Sequence, residues 1–449
     1  MRKHRPRRAL SLIVLVAAVL AVWVGVAARD AAAVLPPGNT VQQWNKIAED
    51  TVVGSGAFQN EGLIYMAYTS AAVYNAVVAI QGGYEPYGTP IAAPAGASAD
   101  AAVVEAAYQT LLNYFPSQAA TLGSFHTDAL NAIPDGQPKT DGIAVGLAAA
   151  NGIIALRNGD GRMTPIGVTS SFPTMPPGPG VWRRTPPFAA PQTPWVANVR
   201  PFILQGAAQF LPDPPPSLAS SEWADAFNQI KAYGALTGSA RTQEQTDVAR
   251  FWTANVIRQY NGVVRDVATA RGLSLLQTAR LGAMVNVVGA DAQISVMYAK
   301  YHYLLWRPVT AINGSTDPSA VTATDGFGPM PGFDDGNPAT VEQAGWRPLI
   351  TTPNHPEYPA AHGSITSAMA EVFSDFLGTN QINLDIHGLD ATGPLHAVRH
   401  FDMPNDLRNE IIDARLWAGL HYHFSGVAGV VLGRKVAKYD LRHAFEPVK

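Results

Sequence analysis

The chain has 449 residues, of which 47% are hydrophobic and only 14% are charged, and it contains no cysteine. This length is enough for one large domain or two ordinary ones with an extensive buried core. The lack of cysteine excludes disulfides, thiol catalysis, zinc–thiolate sites and a lipoprotein anchor.

The first 33 residues have the layout of an export signal. A basic leader, MRKHRPRR, precedes the apolar run LSLIVLVAAVLAVWVGVAA, and small residues follow in ARDAAAV. This order predicts a signal peptide, residues 1–33, cleaved near Ala28 or Ala33, and hence a periplasmic or secreted protein. An uncleaved anchor is the alternative, and the pair Arg7-Arg8 is weak evidence for twin-arginine export.

The net charge of the mature chain limits the kinds of molecule that it is suited to bind. Residues 1–33 hold six basic residues and one acid, so their removal changes the formal charge from −3 to about −8. An acidic exported protein is poorly suited to binding nucleic acid. Beyond residue 33 no apolar run reaches the roughly 18 residues that a membrane span requires. We therefore expect no nucleic-acid partner and no membrane span in the mature chain.

Residues 34–160 form a predicted N-terminal helical half. The run GLIYMAYTSAAVYNAVVAIQGG is apolar on nearly every side, which predicts a central helix that ends at Gly82-Gly83. In VVEAAYQTLLNYF the apolar residues recur at spacings of three and four, and Pro116 ends the run.

A proline-rich segment, residues 161–218, follows. It contains MPPGPGVWRRTPPFAAPQTPW and LPDPPPS, with too much proline for helices and too many aromatic residues for a disordered linker. We expect an ordered wrap over the surface between the two helical halves.

Residues 219–449 form the predicted C-terminal helical half, with all site motifs between residues 300 and 425. Thr242 and Gln245 have the spacing of a capping box, and a helical pattern after Ala360 ends at Gly378. A long loop at about residues 312–356 leads into that helix. Because no strand alternation and no internal repeat is evident, the predicted fold class is all-α.

The stretch KYHYLLWRP carries two cations, Lys300 and Arg307, seven residues apart. On a helix ended by Pro308 they would share one face, two turns apart, among residues that should be buried. Two cations on an apolar helix need an anion. The alternative is that both reach solvent or pair with acids such as Asp291.

Two later stretches add the remaining polar groups. In YPAAHG, His362 should lie in the first turn of a helix, where free N–H groups and the helix dipole favour an anion. In ARLWAGLHYHFS, Arg415 and His421 lie six apart in an apolar helical run, and a buried arginine needs a partner. Taken alone, His362 could equally be a histidine that packs or caps, and Arg415 is better explained by a structural ion pair.

In combination the three stretches predict one site. Lys300, Arg307 and Arg415 are charge-assisted donors suited to the oxygens around a tetrahedral centre. Of the two histidines, His362 and His421, one can attack or ligate the central atom while the other transfers protons. We therefore predict an enclosed site for a tetrahedral oxyanion.

The order Lys-x6-Arg-Pro, Pro-Ala-Ala-His and Arg-x5-His resembles the tripartite signature of type 2 phosphatidic acid phosphatases and vanadium-dependent haloperoxidases. The motifs cover residues 300–425, and weaker likeness reaches back to about residue 170. The resemblance implies a haloperoxidase-like fold of two packed helical bundles with long ordered proline-rich loops.

The resemblance also implies a role for each motif residue. His421 would be the nucleophile of a phosphatase or the vanadium ligand of a haloperoxidase, and His362 would be the general acid–base. The non-bridging oxygens of phosphate or vanadate would be held by the side chains of Lys300, Arg307 and Arg415 and by the backbone amides near Ala361 and Gly363.

Several residues depart from the family pattern. The family usually has Pro-Ser-Gly-His, whereas Ala360 and Ala361 stand here, so a serine hydroxyl contact to the anion is missing. Ala414 replaces a serine before the arginine. Ser425 stands where an aspartate often orients the second histidine, so we expect a backbone carbonyl or water to fix the tautomer of His421. One lost hydrogen bond costs about 1 kcal/mol, which weakens anion binding without abolishing it.

The motifs fit two chemistries, because phosphate and vanadate are both tetrahedral. The large helical half before the motifs and the lack of membrane spans favour an exported vanadium-dependent haloperoxidase. Such an enzyme would use hydrogen peroxide at a histidine-bound vanadate to oxidise a halide, and bromide is the halide that we expect. His355, seven residues before His362, adds to this, because algal bromoperoxidases have a second histidine there that would tune halide or acid–base chemistry.

Two alternatives remain open. One is a soluble acid phosphatase that acts through a phosphohistidine on a phosphate monoester and needs no vanadate. The other is an inactive phosphate-binding relative, for which the two alanines are the main support. In each case the partners are small molecules, and the resemblance is compatible with a homodimer.

Two weaker patterns suggest metal sites. His396 and His400 in HAVRH have zinc-like spacing on a helix, but there is no HExxH and the nearest acid is Asp402. The stretch DGFGPMPGFDDGNP is acidic, yet its spacing does not fit an EF-hand loop. We expect neither to bind a metal.

Overall fold

The computed structural model describes residues 34–164, 175, 178–185, 191–313, 334–390 and 393–448, with backbone only at residues 390 and 393–396. The predicted signal peptide, parts of the proline-rich segment and most of DGFGPMPGFDDGNP lie outside the described residues. Within these ranges the chain is helical apart from one two-stranded hairpin, so the predicted all-α class is confirmed.

The helices are numbered in chain order. They are α1 (Thr40–Gly54), α2 (Gln59–Gln81), α3 (Ala99–Tyr114), α4 (Ala119–Asn131), α5 (Gln137–Leu156), α6 (Ser221–Tyr233), α7 (Gln243–Phe251), α8 (Val256–Arg271), α9 (Leu275–Tyr303), α10 (Pro308–Asn313), α11 (Ala361–Leu377), α12 (Pro404–Trp417) and α13 (His423–Asp440). Short 3₁₀ turns occupy Pro116–Gln118 and Pro194–Asn198, and the hairpin consists of β1 (Leu384–Asp390) and β2 (Gly393–Phe401).

The two long helices α2 and α9 form the centre of the molecule. Both are apolar on nearly every side, and both are buried along most of their length. Helix α2 packs against α3, α5 and α9, while α9 also packs against α11 and α13. By length and composition α2 could cross a membrane, but 83% of its apolar window is buried within the protein, which is typical of a core helix.

The predicted helix ends agree with the structure at several positions. Helix α2 ends at Gly82, which has a φ of 68°, and α11 ends at Gly378, which has a φ of 66°. Thr242 and Gln245 form the capping box expected at the start of α7. Local sequence therefore specifies these ends, through glycine in the left-handed region and side-chain caps.

The described parts of the proline-rich segment are attached to α9 by a buried carboxylate. Asp291, in the middle of α9, accepts hydrogen bonds from the backbone N–H groups of Phe202, Ile203 and Leu204 at 2.6, 2.8 and 3.1 Å. Trp195 is also buried in the main core. Asp291 is therefore bonded to backbone amides, although it was a candidate partner for the cations of KYHYLLWRP.

The hairpin corrects the expectation that the chain has no strands. Its antiparallel strands pair from Leu384 with Phe401 to Asp390 with Gly393, and HAVRH lies in β2 and not on a helix. The alternation in LDIHG is real, since Leu384 and Ile386 are buried, but it lasts only five residues. On a strand, residues 396 and 400 are about 13 Å apart, too far for one ion.

Helices α11 and α13 approach each other unusually closely. A Cβ atom at Gly433 would lie 1.8 Å from the carbonyl oxygen of Ser364, and one at Gly429 would lie 2.3 Å from that of Ala360. Only glycine permits this backbone contact. The contact fixes the first turn of α11, which carries His362, against α13.

We predict that Gly433→Ala lowers the free energy of unfolding by about 1–3 kcal/mol, because the new methyl group forces α11 and α13 apart. Urea denaturation measures the change. A matched control is Gly152→Ala on the exposed side of α5, where a Cβ has no neighbour within 4 Å. That substitution should stabilise the protein by about 0.5–1 kcal/mol, as helix propensity dictates. Equal effects of the two substitutions would contradict the close contact.

Candidate oxyanion-binding site

Lys300 and Arg307 reach the site from different kinds of backbone, which corrects the expectation of one continuous helix. Lys300 lies in the last turn of α9, but the helix ends at Tyr303 and Leu304 has a left-handed φ of 52°. Pro308 does not end α9 and instead begins α10.

The chain leaves the helix because it pairs with the proline-rich segment. Leu305 forms a β-bridge with Val181, and the backbone N–H of Trp306 donates to the carbonyl of Gly180 at 2.9 Å. These bonds replace those that another helical turn would provide.

His362 lies where it was predicted. It is the second residue of α11, and Ala360 is the N-cap residue, without a side-chain capping bond. The first N–H groups of a helix have no partner inside the helix, so those near Ala361 and Gly363 are suited to an anion.

Arg415 and His421 do not share a helix, which is a second correction. Arg415 lies in α12, which ends at Trp417, whereas His421 lies in the loop before α13. Gly419 reverses the chain with a φ of 77°, and a Cβ there would lie 2.5 Å from the carbonyl of Gly234. The loop thus needs glycine, and it directs His421 towards Arg307.

Backbone carbonyls accept most of the hydrogen bonds from Lys300 and Arg307. The Nζ atom of Lys300 donates to the carbonyls of Pro356 at 3.0 Å and Glu357 at 2.7 Å. Arg307 donates through Nε to the carbonyl of His355 at 2.9 Å and through Nη1 to that of Leu420 at 3.0 Å. Both cations are fully buried, so their charge is not screened by water.

Arg415 is less completely bonded. Its Nη1 donates to the carbonyl of Trp252 at 3.2 Å, and its side chain is 3% exposed. Its buried Nε has no hydrogen-bond partner among the described residues. An unsatisfied donor on a buried guanidinium is costly, so an acceptor at this position would stabilise the site.

The pKa values show an excess of buried positive charge. Burial lowers the pKa of Lys300 well below its usual value, and the charges of Arg307 and Arg415 lower it further. Burial also lowers the pKa of Arg307 to about 10 and, with the charge of Arg307, that of Arg415 to about 9. A bound anion would favour the charged forms and reverse these shifts.

Both predicted histidines lie within the field of these cations. Burial lowers the pKa of His362 and of His421 well below the usual value, and the charges of Lys300, Arg307 and Arg415 all contribute. The structure therefore brings the five predicted side chains into one electrostatic neighbourhood. His362 is 8% exposed, and its Nε2 has no hydrogen-bond partner within the described ranges.

One residue of the site was missed by the sequence analysis. The carboxylate oxygen Oε1 of Glu357 lies 2.9 Å from Nδ1 of His421 and accepts the backbone N–H of Tyr422 at 3.0 Å. The Nη1 group of Arg307 lies 3.1 Å from the other ring nitrogen, Nε2, to which it can only donate. His421 is therefore protonated at Nδ1, with its lone pair at Nε2.

This contact corrects the expectation that a backbone carbonyl or water fixes the tautomer of His421. Burial raises the pKa of Glu357 to about 7, although the charges of Lys300 and Arg307 oppose the shift. The hydroxyl of Ser425 also lies near enough to lower this pKa, but Oε2 has no partner of good hydrogen-bond geometry in the described structure. The one acidic residue in HPEYPAAH was the sequence signal that could have identified Glu357.

His355 contacts the site through Arg307. Its Nδ1 lies 3.0 Å from Nη2 of Arg307, while its carbonyl accepts from Nε of the same guanidinium. Burial and the neighbouring cations lower the pKa of His355 well below its usual value. His355 therefore holds Arg307 in place, and its predicted effect on halide or acid–base chemistry stays a prediction.

Comparison with known proteins shows similarity to vanadium chloroperoxidase. Residues 280–449 match the family model of the VCPO second helical-bundle domain. Vanadium chloroperoxidase from Curvularia inaequalis is 24% identical over 320 residues, which cover 59% of this chain and 50% of that protein. The C-terminal part of the chain is therefore similar to vanadium chloroperoxidase, in agreement with the resemblance of its motifs. It spans about half the length of the curated relative.

Solved structures of vanadium-dependent haloperoxidases share the fold. The first bacterial vanadium-dependent iodoperoxidase superposes with a TM-score of 0.73 at 22% identity and covers 93% of this chain and 100% of its own. The holo-type bacterial vanadium-dependent chloroperoxidase gives a TM-score of 0.66 at 15% identity, covering 92% and 99%. The predicted haloperoxidase-like helical-bundle fold is therefore confirmed.

The residues present fit a tetrahedral oxyanion such as vanadate or phosphate. The excess positive charge, the unsatisfied Nε of Arg415 and the unpaired Nε2 of His362 all call for an acceptor or an anion. Among the described residues, no cluster of three or more histidine and carboxylate side chains could hold a bare metal ion. The donor set thus suits the oxygens of an anion.

We predict that phosphate raises the melting temperature of the protein and that Arg415→Met removes most of this effect. A ligand at about 100 times its Kd stabilises the folded state by about 2.7 kcal/mol. Thermal unfolding with and without phosphate measures the shift. The matched control is Arg434→Met, because Arg434 lies exposed on α13. A full phosphate shift in the Arg415 variant would show that the anion binds elsewhere.

We also predict that phosphate binding at about pH 8.5 takes up protons. The lowered pKa leaves Lys300 less protonated in the folded protein than a free lysine, and a bound anion restores the charge. Titration calorimetry in two buffers of different ionisation enthalpy measures the number of protons. Lys300→Met should reduce the uptake, and proton release in the original protein would contradict the assignment.

Proposed function

We propose that this protein is an exported vanadium-dependent haloperoxidase that oxidises halide, bromide in preference to chloride, with hydrogen peroxide. The observation that carries the proposal is the enclosed cluster of Lys300, Arg307 and Arg415 around two neutral histidines. The family model and the similarity to vanadium-dependent chloroperoxidase and iodoperoxidase structures support it. Export is inferred from residues 1–33.

The three cations and the first turn of α11 would hold the oxygens of vanadate, and Nε2 of His421 would hold its vanadium. When bound, this cofactor supplies a Lewis acid that activates hydrogen peroxide for attack by halide. Arg307 donates to Nε2 of His421, so binding there requires its guanidinium to redirect one N–H to an anion oxygen. Arg415 supplies the unsatisfied Nε for another oxygen.

His362 would handle the protons of the reaction. Its ring is neutral and its Nε2 points to no protein partner in the described ranges, so it can accept a proton from hydrogen peroxide. Its position in the first turn of α11 is fixed by the close contact of that turn with α13. The negative charge of a bound anion would raise the pKa of His362 and make it a better base.

A soluble phosphatase is the second candidate, and the contact between Glu357 and His421 supports it as well as it supports the haloperoxidase. A carboxylate on Nδ1 leaves the Nε2 lone pair available for attack on a phosphoryl group. His362 would then protonate the leaving oxygen, and no vanadate is needed. The alanine at position 360, which offers no hydroxyl to the anion, is the feature that supports an inactive phosphate-binding relative.

One pair of assays separates these functions. The purified protein, with and without orthovanadate, is tested for oxidation of iodide, bromide and chloride by hydrogen peroxide and for hydrolysis of an aryl phosphate. Oxidation of bromide that requires vanadate supports the haloperoxidase. Hydrolysis that vanadate inhibits supports the phosphatase instead. If neither reaction occurs, the protein is an inactive relative.

We predict that His421→Ala lowers the turnover of the vanadate-loaded enzyme by at least about a thousandfold, because the residue that holds the cofactor is lost. The matched control is His423→Ala, two residues further on and exposed to solvent. This variant should keep full turnover. Equal activity of the His421 variant and the original protein would overturn the site assignment.

A further inference from the structure

Glu357 is held in place by each of the other parts of the site. Its backbone N–H donates to the carbonyl of Leu305 at 2.9 Å, and its own carbonyl accepts from Lys300 at 2.7 Å. Its side chain is fully buried and meets His421 and the backbone N–H of Tyr422. A carboxylate fixed from both ends has a defined position relative to the imidazole ring.

The side chain at position 425 lies near the carboxyl group of Glu357 and is compatible with an acid there. Ser425 lies in the first turn of α13, four residues after His421, and its hydroxyl is buried. An acidic residue there would place a second carboxylate beside Glu357 in the same dry region, which like-charge repulsion disfavours. A small neutral side chain at 425 therefore accompanies the acid at 357.

We propose that Glu357 is the positioning residue that keeps His421 protonated at Nδ1 and directs its Nε2 lone pair into the cationic cluster. The acid that orients the histidine is thus at position 357, 64 residues before His421, and not at position 425. This inference rests on the proposed function only in that His421 is taken as the residue that meets the anion.

The two donors to Oε1 determine how substitutions should behave. His421 and Tyr422 both donate to this one oxygen, so a glutamine at 357 would place its carbonyl oxygen there and keep the tautomer while losing the charge. Glu357→Ala removes the acceptor, and the ring is then free to carry its proton at Nε2. In that form Nε2 has no lone pair with which to hold vanadium or attack phosphorus.

Long-range proton–nitrogen spectra of protein labelled with ¹⁵N-histidine report the tautomer of His421 directly, with its signal assigned by its loss in His421→Ala. We expect the Nδ1–H form in the original protein and in Glu357→Gln, and the Nε2–H form or a mixture in Glu357→Ala. Finding the Nε2–H form in the original protein would overturn the proposal without any variant.

The affinity for orthovanadate, measured without halide or peroxide, provides the second readout. Glu357→Ala should weaken it by about tenfold to a hundredfold, the usual effect of removing a residue that orients a ligand. The double variant Glu357→Ala/Ser425→Asp should restore the tautomer and most of the affinity, because it places an acid four residues after His421. Unchanged affinity and tautomer in a folded Glu357→Ala variant would overturn the proposal, as would failure of the folded double variant to recover either.

The matched control is a similar pair outside the site. Glu105 in α3 lies 2.7 Å from Nε2 of His126, and Glu105→Gln should leave orthovanadate binding unchanged. If Glu357→Ala does not fold, Glu357→Gln decides, since loss of the Nδ1–H form in that variant contradicts the geometry. Turnover with halide is measured in parallel. Its absence from the original protein would count against the proposed function, while the tautomer and the orthovanadate affinity would still test Glu357.

Discussion

The burial of three cationic side chains around a single carboxylate is the constraint on which the rest of the site depends. Removing such a charge from water costs several kcal/mol, so each buried cation needs acceptors at close range. Carbonyl oxygens supply most of them: those of Pro356 and Glu357 for Lys300, and those of His355 and Leu420 for Arg307. The helices hold these short irregular stretches in place.

This requirement explains why the chain leaves its helices at the site. Inside a helix each carbonyl already accepts a backbone N–H, so it is less available to a side chain. Leu304, with a left-handed φ, ends α9. Gly419, also with a positive φ, reverses the chain just after α12, so the segments beyond both residues begin as non-helical chain. The carbonyl of Leu420, just after Gly419, is then free to accept from Arg307. The corrected end of α12 and this contact of Arg307 thus have one physical cause, whereas α9 ends where the chain pairs with the proline-rich segment.

Features set by adjacent residues could be predicted from the sequence, whereas contacts between residues distant in the chain could not. Helix ends marked by local signals, such as Gly378 and the Thr242 cap, were predictable because they depend on adjacent residues. The cation and histidine set was predictable from residue types and spacing. The reversal at Leu304 was not, because leucine carries no turn signal and the pairing with Val181 is distant in sequence. The role of Glu357 was missed because its partner is 64 residues away.

Charge balance accounts for the binding of an oxyanion but not for the choice between two chemistries. With Lys300, Arg307 and Arg415 charged and Glu357 ionised, two positive charges remain, and a doubly charged oxyanion of either phosphorus or vanadium neutralises them. Both chemistries also need a lone pair on His421, one to attack phosphorus and the other to hold vanadium. Glu357 therefore serves both equally, because it fixes that lone pair before any anion arrives. The difference between a phosphatase and a haloperoxidase must then arise from groups that meet the second substrate. His362 is one such group, because its Nε2 has no partner among the described residues and can give or take a proton.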